Sequence, residues 1–201
     1  MKKILVTGGC GYIGSHTIVD LVVNGFEVIS VDNNSRSSPL VLKGIEQITG
    51  KPIKNYNVDL CIFDDTHAIF QENNDIEGII HFAAYKSVGE SVENPLLYFE
   101  NNLNSLVNIL KCAAEFKVPH FVFSSSCTVY GNPDHIPVTE LTPQKPPESP
   151  YGSTKQMGEA IVCQTMNSLT DQHAILLRYF NPVGAHLSGL IGEIPIGKPA
   201  N

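Results

Sequence analysis

Six short apolar runs recur along the chain, at Lys3–Thr7, Glu27–Asp32, Ile53–Asp59, Gly78–Ala83, His120–Ser125 and His173–Tyr179. Each is brief, rich in β-branched or aromatic residues and apolar on both faces, which predicts strands buried between two helical layers. The stretches between them carry helical spacing. Ile18, Leu21 and Val22 share one face, and Asn24-Gly25 supplies a stop. Asn94-Pro95 and Ser149-Pro150 each set a capping residue before a proline at the first helical position. Phe99, Leu103, Leu106, Val107, Leu110, Ala113 and Ala114 then follow the first start as one apolar stripe, and the second start opens a helix over Tyr151–Leu169. The proline-rich stretch Pro143–Pro150 reads as a rigid surface loop before that helix. Regular alternation of strand and helix predicts an α/β fold, a doubly wound parallel sheet with helices on both faces.

Composition narrows the function classes. The 201 residues are 42% hydrophobic and 16% charged, with a net charge of −7 and scattered Lys and Arg. This excludes disorder and argues against a basic groove for nucleic acid. No apolar run approaches the roughly 18–20 residues that cross a bilayer, and Ile4-Leu5-Val6 breaks at Thr7-Gly8-Gly9, too soon for a signal peptide. Cys10, Cys61, Cys112, Cys127 and Cys163 are odd in number and widely spaced, which points to a reducing compartment, the cytoplasm. The seven histidines show no paired ligand spacing, so no metal is expected.

The candidate chemistry begins at Thr7-Gly8-Gly9-Cys10-Gly11-Tyr12-Ile13-Gly14, directly after the first strand and opening the first helix. Gly8 can take backbone angles closed to other residues, Gly11 lets the chain approach a pyrophosphate, and Gly14 lets helix pack on strand. The helix N-terminus offers free N–H groups and about half a positive charge to phosphates. Asp32, at the end of the second strand, can accept both hydroxyls of an adenosine ribose and would repel a 2′-phosphate. NAD is therefore expected over NADP, with Arg36 nearby as a counter-signal. Tyr151 and Lys155 stand four apart on one helical face. A phenol titrates near ~10, and an ammonium ~5 Å away would lower it by roughly two units at an effective dielectric of ~20. Ser124-Ser125-Ser126 closes the fifth strand at the edge where such sheets bind ligands, so one hydroxyl can reach a substrate oxygen beside the tyrosine.

These residues resemble the extended short-chain dehydrogenase/reductase family, and within it the UDP-glucose 4-epimerases. The matches are Val6–His16, Ile80–Ala84 with Val88–Ser91, Phe123–Gly131, Ser149–Lys155 and Arg178–His186, in family order across essentially the whole chain. The resemblance implies a Rossmann-like NAD domain over 1–181 and the start of a second, substrate-binding lobe over 182–201. It implies that Tyr151 takes the proton from a sugar 4-hydroxyl, that Lys155 lowers the tyrosine's pKa and holds a ribose, and that Ser126 bonds the same sugar oxygen. Cofactor contacts are implied for Gly8, Gly11, Tyr12, Ile13, Gly14, Asp32, Asn33, Asn34, Ser37, Asp59, Leu60, Phe82, Ala83, Ala84, Lys86, Asn101, Tyr151, Lys155 and Phe180. Ser126, Tyr151, Asn181 and Asn201 are implied to touch a UDP-hexose, and a homodimer is implied through Pro95–Phe116 and Tyr151–Leu169. Cys127 stands where many such enzymes carry alanine. Family members also continue past Asn201 into a lobe that binds much of the UDP, so the 201 residues alone are expected to bind NAD but to epimerise poorly. Two rivals remain. A 4,6-dehydratase would need an Asp-Glu pair where Cys127-Thr128 stands, and a non-catalytic NAD-binding module would not need Tyr151, Lys155 and Ser126 together.

Overall fold

The computed structural model describes residues 1–193. Six parallel strands form one sheet in the order β3-β2-β1-β4-β5-β6. They are β1 (Lys3–Thr7), β2 (Glu27–Val31), β3 (Lys54–Tyr56), β4 (Ile76–His81), β5 (His120–Ser126) and β6 (His173–Tyr179). The chain winds outward from β1 to β3 and then returns to β4 on the other side. This strand order leaves a crevice above the carboxyl ends of β1 and β4, where open α/β sheets take ligands. The α-helices are α1 (Tyr12–Val23), α2 (Leu40–Thr49), α3 (Phe63–Glu72), α4 (Val88–Glu93), α5 (Pro95–Glu115) and α6 (Pro150–Asn167).

Alternation along β1 splits the core in two. Leu5 joins Ile79, Phe121, Phe123, Ile109 and Val162 on the face covered by α3, α5 and α6. Val6 joins Ile18, Val22, Val28, Val41 and Ile45 on the face covered by α1 and α2. His81 lies in the first layer, its ring stacked near Phe121 and Phe123 and its Nδ1 2.8 Å from the Thr7 hydroxyl. Burial, and then the charge of Lys155, push its pKa down to about 3, so it is a neutral core residue at physiological pH.

Several expected boundaries move, each for a visible reason. β2 stops at Val31 rather than Asp32, because Asp32 turns into the loop while its N–H still bonds the Tyr56 carbonyl. β3 holds three residues rather than the seven of Ile53–Asp59, since it is an edge strand paired only with Ile29–Val31. β4 begins at Ile76 and ends at His81; Phe82 and Ala83 leave the sheet to bond Thr7. α6 ends at Asn167, two residues short of Leu169.

Two larger expectations are corrected. β6 is not buried on both faces: Ala174 and Leu176 pack on the core, but Ile175 is 60% and Leu177 38% exposed. α1 and α2 cover the other half of that sheet face, and among the described residues nothing covers β6 there. The stripe on α5 is also rotated. Its buried face is Tyr98, Asn102, Ser105, Leu106, Asn108, Ile109, Leu110, Cys112 and Ala113, while Phe99, Leu103, Val107 and Ala114 are only half-buried. Asparagines can face inward there because their amides are satisfied. Asn102 spans the backbone of Tyr85, and Asn108 donates to the carbonyls of Leu60 and Cys61. Asn94 flanks α5 without a side-chain cap, whereas Ser149 accepts the Gly152 N–H at 3.1 Å and caps α6.

Candidate active site

A groove of about 840 Å³ opens at the carboxyl edge of the sheet, above β1, β4 and β5. Its floor at one end is the glycine turn. Gly8 has a φ of +67°, and a Cβ there would lie 2.9 Å from the Ala83 nitrogen. A Cβ on Gly14 would lie 2.2 Å from the Gly8 carbonyl oxygen, so α1 sits against the strand end only because Gly14 has no side chain. The N-terminus of α1 therefore points into the groove. Beside it, Asp32 is fixed at both oxygens: Oδ2 accepts the Cys10 N–H at 3.0 Å, and Oδ1 accepts from the Asn34 N–H and the Ser37 hydroxyl.

Of the sequence-predicted cofactor residues, the structure brings Gly8, Gly11, Tyr12, Ile13, Gly14, Asp32, Asn33, Ser37, Asp59, Leu60, Phe82, Ala83, Ala84, Lys86, Asn101, Tyr151, Lys155 and Phe180 to this one groove. Asn34 is not on its wall; it has a φ of +56° and shapes the loop through Asp32. Lys86 lines the groove with its ammonium paired to Glu193 at 2.8 Å. Ser126 and Asn181 line it too, while Asn201 lies outside the described residues.

At the other end α6 lies on β5, and the three consecutive serines each meet a side chain from one helical face. Lys155, 4% exposed, donates from Nζ to the Ser124 carbonyl at 2.7 Å. Ser125 donates its hydroxyl to Glu159 at 2.5 Å. Ser126 lies close enough to the Tyr151 phenol to favour its ionised form, and its hydroxyl accepts the Thr128 N–H at 3.2 Å. Tyr151, Lys155 and Glu159 are spaced by four, so a single helix orientation presents all three.

Burial shifts these groups in opposite senses. It pushes Lys155 down to about 8 and raises Tyr151 above the ordinary phenol value, with only the Ser126 hydrogen bond pulling the phenol back. The Lys155 ammonium stands 5.8 Å from the Tyr151 ring centroid, committed to the Ser124 carbonyl.

Sequence reading missed Glu159 as a hub. Besides Ser125 it accepts from Gln144, and it takes two parallel bonds from Arg178 on β6, at 2.9 and 2.8 Å. Burial alone would raise the Glu159 carboxyl, but the Arg178 and Ser125 bonds outweigh it and hold the pKa low. The i+4 step beyond Lys155 was the available signal. Arg36 and Glu90 were also missed as a pair, and no sequence signal links residues 54 apart.

The groove fits a dinucleotide on its own chemistry: a helix N-terminus for phosphates, a fixed carboxylate for a ribose, and a buried cation near the far end. The residues that would hold NAD are therefore the glycine turn, Asp32 and Lys155.

Known proteins agree. The model of the NAD dependent epimerase/dehydratase family matches residues 4–193. The chain is 47% identical over 201 residues to a UDP-glucose 4-epimerase of Neisseria meningitidis serogroup B, and 47% over 198 residues to one of Bacillus subtilis. It covers 100% and 98% of itself in those matches, and 59% and 58% of the relatives. Among solved structures, the UDP-glucose 4-epimerase of Bifidobacterium longum in complex with NAD+ and UDP superposes with a TM-score of 0.96 at 48% identity, covering all of this chain and 59% of that one. The enzyme of Stenotrophomonas maltophila, with bound NAD and formylated UDP-arabinopyranose, gives 0.95 at 43% identity with the same coverage. The chain thus spans just under three-fifths of these relatives' length, and by the match over nearly all of its residues it belongs to the NAD dependent epimerase/dehydratase family.

Proposed function

We propose that this groove binds NAD and that the protein interconverts UDP-galactose and UDP-glucose. The observation that carries the reading is the α6–β5 contact, which sets Ser126, Tyr151 and Lys155 together on the wall of a dinucleotide groove. Bound NAD supplies the acceptor, and then the donor, for the hydrogen on sugar C4. Tyr151 takes the 4-hydroxyl proton as that hydrogen leaves, and returns it after the 4-keto sugar has turned over in the pocket. Ser126 holds the same oxygen by a hydrogen bond. Lys155 supplies positive charge beneath the ring and a donor for a ribose hydroxyl. The domain reading also stands as part of this proposal: residues 1–181 bind NAD, and the UDP half of the site is completed by residues 182–201 with a further segment matching the relatives' remaining length. Remote binding energy positions the reacting carbon, and a misplacement of ~1 Å costs on the order of 10²-fold in rate. The 201 residues alone therefore turn over poorly.

Conversion of UDP-galactose by the NAD-loaded chain, beside a chain extended as in the relatives, tests this. The extended chain should be the more active, and Tyr151→Phe in it should lower turnover by ~10²–10⁴ with NAD binding kept. Near-unchanged turnover in the phenylalanine variant would remove Tyr151 from the mechanism.

The two-helix surface of α5 and α6 supports self-association. Leu96 and Met157 are exposed on it, Phe99, Leu103 and Val107 are half-buried, and an isologous pair needs only one such self-complementary patch. Sedimentation should show a dimer at high concentration; a monomer throughout would refute the pairing.

The buried lysine makes a signed prediction for the cofactor-free chain. Its folded pKa of about 8 lies below the unfolded 10.5, so the folded state is penalised wherever both forms are charged. That penalty, on the order of 3 kcal/mol, is full below pH 8 and fades as pH rises to 10.5. Lys155→Met removes it. In urea unfolding the variant should gain on the wild type by a constant margin below pH 8, and the margin should shrink between 8 and 10.5. A margin that does not change with pH would contradict the burial of a charged lysine.

A further inference from the structure

Arg36 follows Asp32 by four residues and lines the same groove. An arginine just beyond that acidic position is the residue type that accommodates a ribose 2′-phosphate. Its guanidinium is engaged elsewhere. Nη2 donates to Glu90 Oε1 at 2.6 Å, and the planar group lies 4.7 Å over the Tyr85 ring, so it crosses from the β2 side of the groove to the α4 side.

Both partners of Arg36 are themselves held from the interior. The second oxygen of Glu90 accepts the Tyr98 hydroxyl at 2.8 Å; Tyr98 is fully buried, and its oxygen accepts the Ser87 N–H. Glu90 sits in the first turn of α4, which Ser87 caps through the Glu90 N–H. Tyr85 is fixed by Asn102, which accepts the Tyr85 N–H at 2.8 Å and donates to its carbonyl at 3.0 Å. The resting place of Arg36 is thus specified by two side chains anchored in the core. An exposed ion pair contributes little to stability, so this much support is more than a surface contact calls for.

We propose that Glu90 is a specificity-determining residue: by holding Arg36 against Tyr85, it withholds the one arginine that could pair with the 2′-phosphate of NADP. Two devices then act at the same ribose. Asp32 repels the phosphate, and Glu90 removes its natural counter-charge. The inference rests on the reading that the groove takes NAD, and deepens it.

Equilibrium binding of NAD and of NADP separates the two ideas, using the 201-residue chain and the variants Glu90→Gln, Arg36→Met and the double variant. In Glu90→Gln, NADP should tighten relative to NAD by on the order of tenfold, as one new charge-assisted contact would give. The gain should weaken with added salt and vanish in the double variant. Arg36→Met alone should leave the NADP-to-NAD preference unchanged. An unchanged preference in Glu90→Gln, or a gain that survives loss of Arg36, would overturn the proposal. So would weaker NADP binding in Arg36→Met, which would show that the arginine already reaches the phosphate; this arm stands even if Glu90→Gln folds poorly. Failure of the wild-type chain to bind NAD would refute the cofactor reading itself, and the inference with it.

Discussion

The site depends on one charged side chain taken out of water. The Lys155 ammonium lies between α6 and β5, satisfied by the Ser124 carbonyl, with aromatic faces of Phe123 and Tyr151 at 5.0 and 5.8 Å. An ammonium in that place holds α6 against β5, because a small shift that kept it buried would part it from the Ser124 carbonyl. Tyr151 one turn earlier and Glu159 one turn later are carried along by the helical repeat. Gly158 allows the close approach: a Cβ there would lie 2.6 Å from the Phe123 ring. Glu159, tied to Ser125 and Arg178, then locks β5, α6 and β6 to one another.

The two ends of the groove are built differently. At the glycine turn the backbone makes the floor, open because Gly8 and Gly14 carry no side chain, with the carboxylate of Asp32 beside it. At α6 the interactions are made by side chains, and burial disfavours the charged form of two of them, Lys155 and Tyr151. The protein has thus met the cost of desolvation in advance, and a cation arriving in the groove would act at short range in a poorly screened site.

Much of this was legible in the chain. The glycine turn, Asp32 at a strand end and the Tyr151/Lys155 spacing are local signals, and local signals survive in sequence. The doubly wound parallel sheet follows from the alternation of strands and helices, whereas the strand order comes from the structure. What was not legible depends on pairs distant in the chain. The inward polar face of α5 was not legible, because Asn102 and Asn108 find their acceptors in Tyr85, Leu60 and Cys61, which no spacing predicts. β6 looked like a strand buried on both faces, because apolar composition does not say whether a helix will cover it. Arg36 read as a counter-signal to NAD, and its engagement by Glu90 and Tyr85 depends on residues that no spacing links. The burial of Tyr151, which raises its phenol above the ordinary value, was not legible either, because it depends on elements distant in the chain.

On the proposed function, the positive charge of a bound oxidised cofactor is what offsets the burial of Tyr151. The direct measurement is a phenolate absorbance titration of the chain minus that of Tyr151→Phe, with and without NAD+. Without cofactor the difference should show a tyrosine ionising above the ordinary value of ~10; with NAD+ bound, its pKa should fall toward neutrality. A Tyr151 that still ionises above its ordinary value in the NAD+ complex would contradict the account.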